Sequence, residues 1–298
     1  MAPPVKVGLN IVWMKPELQV EASKLAEDLG FYSVWTGEHI ALPKYEGWWK
    51  NFPSVVAKGE AGGPDDVVFG PDSEFMDPLI MLSAIASVTK RVRLGVGIYM
   101  LPLREAVLAA KMVATLDVLS GGRLDLAVGL GWSEGEYAAT NNDWKTRGKK
   151  LDETIRAMRV LFEEETPVFN GEFYNFGPLG FWPKPIQKPL PILIGGGAGP
   201  AERRAGHLGN GWQGTSHSSK PENIAAIRQH LADAGRTDEP FQFNCTVLKP
   251  LTLDEMAEMA EVGIDHIVLT PWAGKKVGEV GSEGFAQLEA YAKEIGLV

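Results

Sequence analysis

Two patterns of apolar and polar positions alternate along the chain. Short apolar runs rich in β-branched and aromatic residues predict buried strands. Between them lie longer segments with apolar residues every three to four positions, such as Leu151, Ile155 and Met158, which predict amphipathic helices. The predicted strands are 5–13, 31–37, 92–100, 123–131, 190–196, 211–215, 241–249 and 264–270.

Residues typical of helix starts separate these strands. Asp77, followed by proline, predicts an N-cap and a first helical residue. Ser219 and Thr252 each precede a glutamate by three positions, which predicts two further helices that begin with capping boxes. Other helices are predicted at 16–30, 104–119 and 282–295.

Eight strand–helix units in succession predict an α/β fold, a closed (β/α)8 TIM barrel that forms one domain over residues 1–298. A doubly wound parallel sheet is the alternative, but it would more naturally show five or six strands. A long loop follows the second strand (37–77), and an excursion rich in proline precedes the fifth (164–189). The aromatic residues Tyr45, Trp48, Trp49 and Phe52 predict a lid or hydrophobic wall in that loop, or an oligomer contact.

Composition limits the partners and the chemistry. A formal net charge of −9 argues against nucleic acid or an anionic membrane as the main partner. One cysteine, Cys245, excludes internal disulfides, and the five histidines lack the spacing of metal ligands. No signal peptide or membrane-length apolar run is apparent, so we expect a soluble, cytoplasmic protein.

Glycines gather where predicted strands end, and in a barrel these ends form the catalytic face. They are Gly97, Gly129, Gly131, Gly195, Gly196 and Gly197. Their bare backbone would leave room for a flat ligand, and the loop at 195–199 predicts a phosphate site assisted by the hydroxyl groups of Thr215 and Ser216. The alternative is that these glycines only turn the chain.

Glu38 and His39 directly follow the second predicted strand. A histidine at this end of a barrel can exchange a proton near neutral pH, and an adjacent carboxylate could orient it or bind a cofactor. The alternative is a polar surface histidine.

Three segments in combination resemble the luciferase-like monooxygenase superfamily, namely LSGGRLDLAVGLGWSEGEY, RGKKLDETIRAMRVLF and PILIGGGAGPAERRAGHLGNGW. The resemblance is closer to the branch of oxidoreductases that use coenzyme F420. It implies a (β/α)8 barrel with the cofactor ring at the mouth, a cis peptide at Gly97-Ile98 behind the ring, and a phosphate at 195–197 and Thr215. It also implies a homodimer and assigns Glu38 and His39 to the surroundings of the reactive ring.

We therefore predict hydride transfer between F420 and a small, hydrophobic organic substrate, with His39 moving the proton. Trp13, Trp132 and the lid aromatics, Trp48 among them, would form the substrate wall. Trp132 stands where some sugar-phosphate dehydrogenase relatives carry a catalytic glutamate, which argues against sugar-phosphate oxidation. The alternatives are an FMN-dependent monooxygenase that uses O₂, a non-catalytic flavin-binding protein, and a phosphosugar-binding barrel, whose phosphate site would follow strands seven and eight.

Overall fold

Eight parallel strands close into a barrel in the structure, a computed structural model that describes residues 2–51, 65, 67–197 and 199–298. The barrel strands are β1 (Lys6–Asn10), β2 (Ser33–Thr36), β3 (Arg93–Tyr99), β4 (Leu124–Val128), β7 (Ile192–Gly195), β8 (Gly211–Thr215), β9 (Gln242–Val247) and β10 (His266–Leu269). Each strand pairs with the next one of this series, and β10 returns to β1. The predicted (β/α)8 fold is confirmed.

Helices follow the strands around the outside of the barrel. Within the described ranges they are α1 (Gln19–Asp28), α2 (Pro78–Val88), α3 (Ala106–Ser120), α4 (Glu134–Ala139), α5 (Arg147–Glu163), α6 (Pro200–Leu208), α7 (Pro221–Asp233), α8 (Leu253–Val262) and α9 (Glu283–Glu294). None of these is long and apolar enough to cross a bilayer.

Two of the three predicted helix caps are present. Asp77 accepts hydrogen bonds from the N–H groups of the first turn of α2, and Thr252 forms a capping box with Glu255. The predicted capping box at Ser219 is wrong. The N–H of Ser219 donates to the carbonyl of Thr215 in a preceding turn, so α7 starts only at Pro221, with Lys220 as its N-cap.

The excursion before the fifth barrel strand carries a small antiparallel hairpin, β5 (Phe169–Asn170) and β6 (Asn175–Phe176). In the long loop after β2, Trp48–Asn51 form a single 3-10 turn. Residues 52–64 and 66 of that loop, with Phe52 of the predicted lid, lie outside the described residues.

A second core fills the barrel itself, inside the larger core between strands and helices. It contains Trp35, Ala127, Leu193 and Val268, with Ile98 packed against it. Glycine at position 95 leaves room for the Trp35 ring, because a Cβ at that position would overlap the indole. The indole N–H donates to Ser33 Oγ at 2.8 Å, and Ser33 contacts His266 Nε2 at 2.7 Å. This layer closes the barrel beneath its C-terminal mouth.

Candidate functional site

A cavity of about 570 Å³ opens at the C-terminal ends of the barrel strands. This volume lies within the range of small-molecule and cofactor sites. The predicted site residues that line it are Trp13, Glu38, His39, Gly97, Ile98, Gly129, Gly131, Trp132, Gly195, Gly196 and Thr215. Gly197, Ser216 and Trp48 do not line it, and Trp48 instead packs against Gly70 and Trp49.

Ile98 forms the floor of this cavity. The Gly97-Ile98 peptide is cis, as the resemblance implied. A Cβ on Gly129 would stand 2.7 Å from Ile98 Cγ2, and a Cβ on Gly195 would stand closer still to Ile98 Cδ1. The Ile98 side chain therefore fills the space that side chains at these two strand ends would take, while the glycine backbones still line the cavity. Packing of Ile98 is a second reason for these glycines, and their role in cofactor binding stays a prediction.

His39 is held by a carboxylate from α4, the helix that follows β4. Its Nδ1 lies 3.0 Å from Oε2 of Glu136, which is fully buried in α4. The other oxygen of Glu136 accepts the N–H of Ile40 at 2.7 Å and contacts the N–H of Ala41 at 3.4 Å. Because the other oxygen of Glu136 already accepts backbone N–H groups, we assign the proton of neutral His39 to Nδ1, which donates a hydrogen bond to Oε2 of Glu136. Nε2 is then the nitrogen that can exchange a proton with a ligand in the cavity.

Aromatic rings surround this histidine. The centroids of Phe69, Phe75 and Trp132 lie 4.9, 5.1 and 5.4 Å from the imidazole centroid. Only 9% of the His39 side chain is exposed. Packing and the Glu136 hydrogen bond thus fix the ring in one orientation, so the interpretation as a polar surface histidine does not fit.

Glu38 does not orient His39, which corrects one of its two expected roles. Its side chain accepts the N–H of Met100 at 2.8 Å and forms an ion pair with Arg104 from the loop before α3. Burial raises the pKa of the Glu38 carboxyl group, and the charge of Arg104 opposes that rise. Arg104 also lies 4.0 Å from the centroid of the Tyr99 ring. Glu38 is thus a neutralised buried charge at the cavity edge.

At the opposite end of the cavity, the glycine loop meets α6. Trp212 donates its indole N–H to the carbonyl of Gly196 at 2.7 Å, which holds the loop against β8. The N–H of Gly199 donates to Glu202 at 2.9 Å, so a carboxylate of the chain already engages this end of the helix. Arg204, also on α6, is 5% exposed and lines the cavity.

Sequence reasoning missed three of these functional side chains, namely Glu136 as the partner of His39, Arg104 and Arg204. Glu136 lies 97 positions from His39, and Arg104 lies 66 positions from Glu38. No local motif links such distant positions. The one available signal was that each follows a strand end, where the barrel brings side chains together.

The donor set and shape of the cavity fit a flavin-type group. Ile98 offers an apolar platform, and Arg204 brings a buried cation to the glycine end. Gln213 also lines the cavity, and its Oε1 is buried without a hydrogen-bond partner among the described residues. Such an orphaned acceptor in a cavity wall calls for a ligand or an ordered water.

Comparisons with known proteins bear on this fit. A model of the luciferase-like monooxygenase family matches residues 9–287. An uncharacterised protein of Mycobacterium tuberculosis is 32% identical over 249 residues, which make up 83% of this chain and 84% of that protein.

Two characterised relatives use different cofactors. The F420-dependent glucose-6-phosphate dehydrogenase of Kineococcus radiotolerans is 28% identical over 237 residues, or 77% of this chain and 62% of the relative. The FMNH2-dependent dimethylsulfone monooxygenase of Pseudomonas putida is 30% identical over 154 residues, or 51% and 42%. A solved F420-dependent secondary alcohol dehydrogenase, in complex with an F420-acetone adduct, shares the fold with a TM-score of 0.74 at 17% identity, over 100% of this chain and 99% of the other.

Proposed function

The chain belongs to the luciferase-like monooxygenase family, and from this premise we propose that it is an F420-dependent oxidoreductase acting on a small, uncharged organic substrate. The family includes enzymes that use F420 and enzymes that use FMN. The observation that carries the proposal is the His39–Glu136 pair, which presents one imidazole nitrogen to a cavity walled by apolar side chains. A hydride transfer to or from a carbonyl compound needs such a group to handle the accompanying proton.

In this proposal the residues of the chain bind the cofactor, orient the substrate and exclude water. Bound F420 would supply the hydride chemistry. Ile98 would support one face of the ring, and Trp13 and Trp132 would enclose the substrate on the other. His39 would give or take the substrate proton at Nε2, while Glu136 keeps Nδ1 protonated.

Titration of the purified protein with F420 and with FMN, followed by cofactor fluorescence, tests the choice of cofactor. We expect saturable F420 binding. Tight binding of FMN without any response to F420 would favour the alternative, an FMN-dependent monooxygenase, which the dimethylsulfone monooxygenase relative supports.

Replacement of His39 tests whether the site is catalytic. We expect His39→Ala to abolish turnover and to leave cofactor affinity within about twofold. The imidazole of His39 lies at the cavity wall and does not bind the charged end of a cofactor in this proposal. His207→Ala, at an exposed position of α6 outside the cavity lining, serves as the matched control. A protein that binds cofactor but never changes its redox state with any substrate would be a binding or storage protein.

We also propose that the chain forms a homodimer through α2 and α3. The two helices pack side by side and expose a set of large apolar side chains, namely Ile80, Val88, Leu108, Met112 and Leu119. Such a patch on a soluble surface is typical of a subunit interface. Light scattering should give twice the chain mass, and the double variant Leu108→Glu/Leu119→Glu should be monomeric, whereas Val168→Glu at another exposed apolar position should not.

A further inference from the structure

Arg204 is a buried cation in the wall of the cavity. It lies one turn into α6, and its neighbours Pro200 and Ala201 line the cavity with it. Helical side chains lean toward the helix N-terminus, and the N-terminus of α6 adjoins the glycine loop. A guanidinium group with 5% exposure needs compensation for its lost hydration.

The contacts of Arg204 supply only part of that compensation. Its Nε donates to Asp152 of α5, and its Nη2 lies 3.4 Å from the carbonyl oxygen of Gly148. Nη1 has no hydrogen-bond partner among the residues that the structure describes. The guanidinium group, held on one side by Asp152, therefore keeps donor capacity toward the cavity.

The glycine loop itself is a weaker anion site than its sequence predicts. The N–H of Gly199, at the start of α6, is engaged by Glu202, whose carboxylate also accepts a hydrogen bond from Asn223. This carboxylate takes up the positive end of the helix, where a phosphate would otherwise gain most. Among the described residues that line the cavity, Arg204 is the only lysine or arginine that could supply a full positive charge to an anion at this end.

We infer that Arg204 binds the phosphate group of the cofactor side chain and that Asp152 positions it. This inference rests on the proposed flavin-type cofactor and names the residue that recognises its charged end. A planar guanidinium group offers parallel N–H donors that match phosphate oxygens, so Arg is suited to this task. The alternative is that the Arg204–Asp152 pair only braces α6 against α5.

Two pairs of probes separate these roles, because each pair shares a ring and only one member carries a phosphate. They are FMN with riboflavin, which differ in the phosphate alone, and F420 with its phosphate-free deazaflavin, which also lacks the carboxylate tail beyond the phosphate. We expect the protein to bind the phosphate-bearing member more tightly, and Arg204→Gln to lower that affinity about 10- to 100-fold while the phosphate-free affinity stays within about twofold. Arg203→Gln, at the exposed neighbouring position of α6, should change neither.

Asp152→Asn distinguishes a ligand from a brace. Both Asp152→Asn and Arg204→Gln break the pair, so a brace predicts the same losses of melting temperature and of ligand affinity for both. Recognition of phosphate by Arg204 predicts that Asp152→Asn keeps most of the preference for the phosphate-bearing probe. Equal effects of Arg204→Gln on both members of a pair would overturn the inference alone. If no probe of either pair binds the unaltered protein, both the inference about Arg204 and the proposed flavin-type cofactor are wrong.

Discussion

Glu136→Gln is the sharpest test of the proposed proton-transfer pair, because the substitution preserves shape and changes only hydrogen-bonding direction. One oxygen of Glu136 faces the N–H groups of Ile40 and Ala41, and the other faces His39 Nδ1. In glutamine the single carbonyl oxygen must face the two backbone donors, since an NH2 group there would oppose them. The NH2 group then points at Nδ1, which has to accept. His39 is forced into the tautomer that carries its proton on Nε2.

The size of the effect follows from that change of tautomer. A neutral imidazole with its proton on Nε2 has no lone pair for the cavity, so it cannot act as the base. Positioned acid–base groups contribute about 10²- to 10⁴-fold to rate, and the corresponding Asp-to-Asn change in a serine protease triad costs about 10⁴-fold. We therefore expect the hydride-transfer rate of Glu136→Gln to fall about 10²- to 10⁴-fold, with cofactor affinity unchanged.

Single-turnover absorbance of the cofactor, in the substrate-oxidation direction, measures this rate directly. Glu134→Gln, an exposed position on the same helix, is the control and should match the unaltered protein. Because the pair acts as a unit, Glu136→Gln should add little to the loss caused by His39→Ala. A normal rate in Glu136→Gln, or multiplicative losses in the double variant, would refute the reasoning.

Three further predictions concern stability and the cavity floor. Arg104→Met leaves the buried Glu38 carboxylate without its ion-pair partner and should lower the free energy of unfolding, measured with urea, by about 3–5 kcal/mol. The double variant Arg104→Met/Glu38→Gln should recover most of that loss. Burial lowers the pKa of His266 to about 3, while the unfolded chain takes up that proton near pH 6.5. The unfolded state therefore binds more protons between these values, and stability should fall as pH falls, by up to about 1.4 kcal/mol per pH unit, a loss absent from His266→Gln. Gly195→Ala should push Ile98 into the cavity and weaken cofactor binding by about 1–3 kcal/mol, and Ile98→Val should restore part of it; equal affinity in a fluorescence titration would contradict this.

The fold was accessible from sequence because its determinants are local. The run at 211–215 is a strand with those same bounds, and the predicted caps at Asp77 and Thr252 are present. Ser219 shows where local reasoning ends. The carbonyl of Thr215, at the end of β8, binds the N–H of Ser219, and this turn competes with the cap that the sequence pattern favoured.

The site was accessible only in part, because its determinants are contacts between loops. Glycines at strand ends were visible, yet their packing partner Ile98 lies in another strand, and only the closed barrel brings them together. The sequence identified His39 as a candidate because histidine exchanges protons near neutral pH, but it did not show which acidic residue would contact the imidazole. The adjacent Glu38 was the natural choice from sequence, and the Arg104 ion pair takes it away from that role.

The two buried carboxylates also bear on the charge of the substrate. Glu38 lines the cavity with its charge engaged by Arg104 and by the N–H of Met100, and Glu136 stands behind His39 with both oxygens occupied. Among the residues that the structure describes, a cationic substrate would therefore find no carboxylate near His39 that lacks hydrogen-bond donors of its own. An anionic one would lie near the carboxylate of Glu136, which faces only neutral donors, in a poorly hydrated space where repulsion is least screened. The Arg204 end could hold an anion, but it lies with the glycine loop, away from the imidazole. The arrangement of charges thus favours a neutral substrate at the histidine and confines anion binding to the opposite end of the cavity.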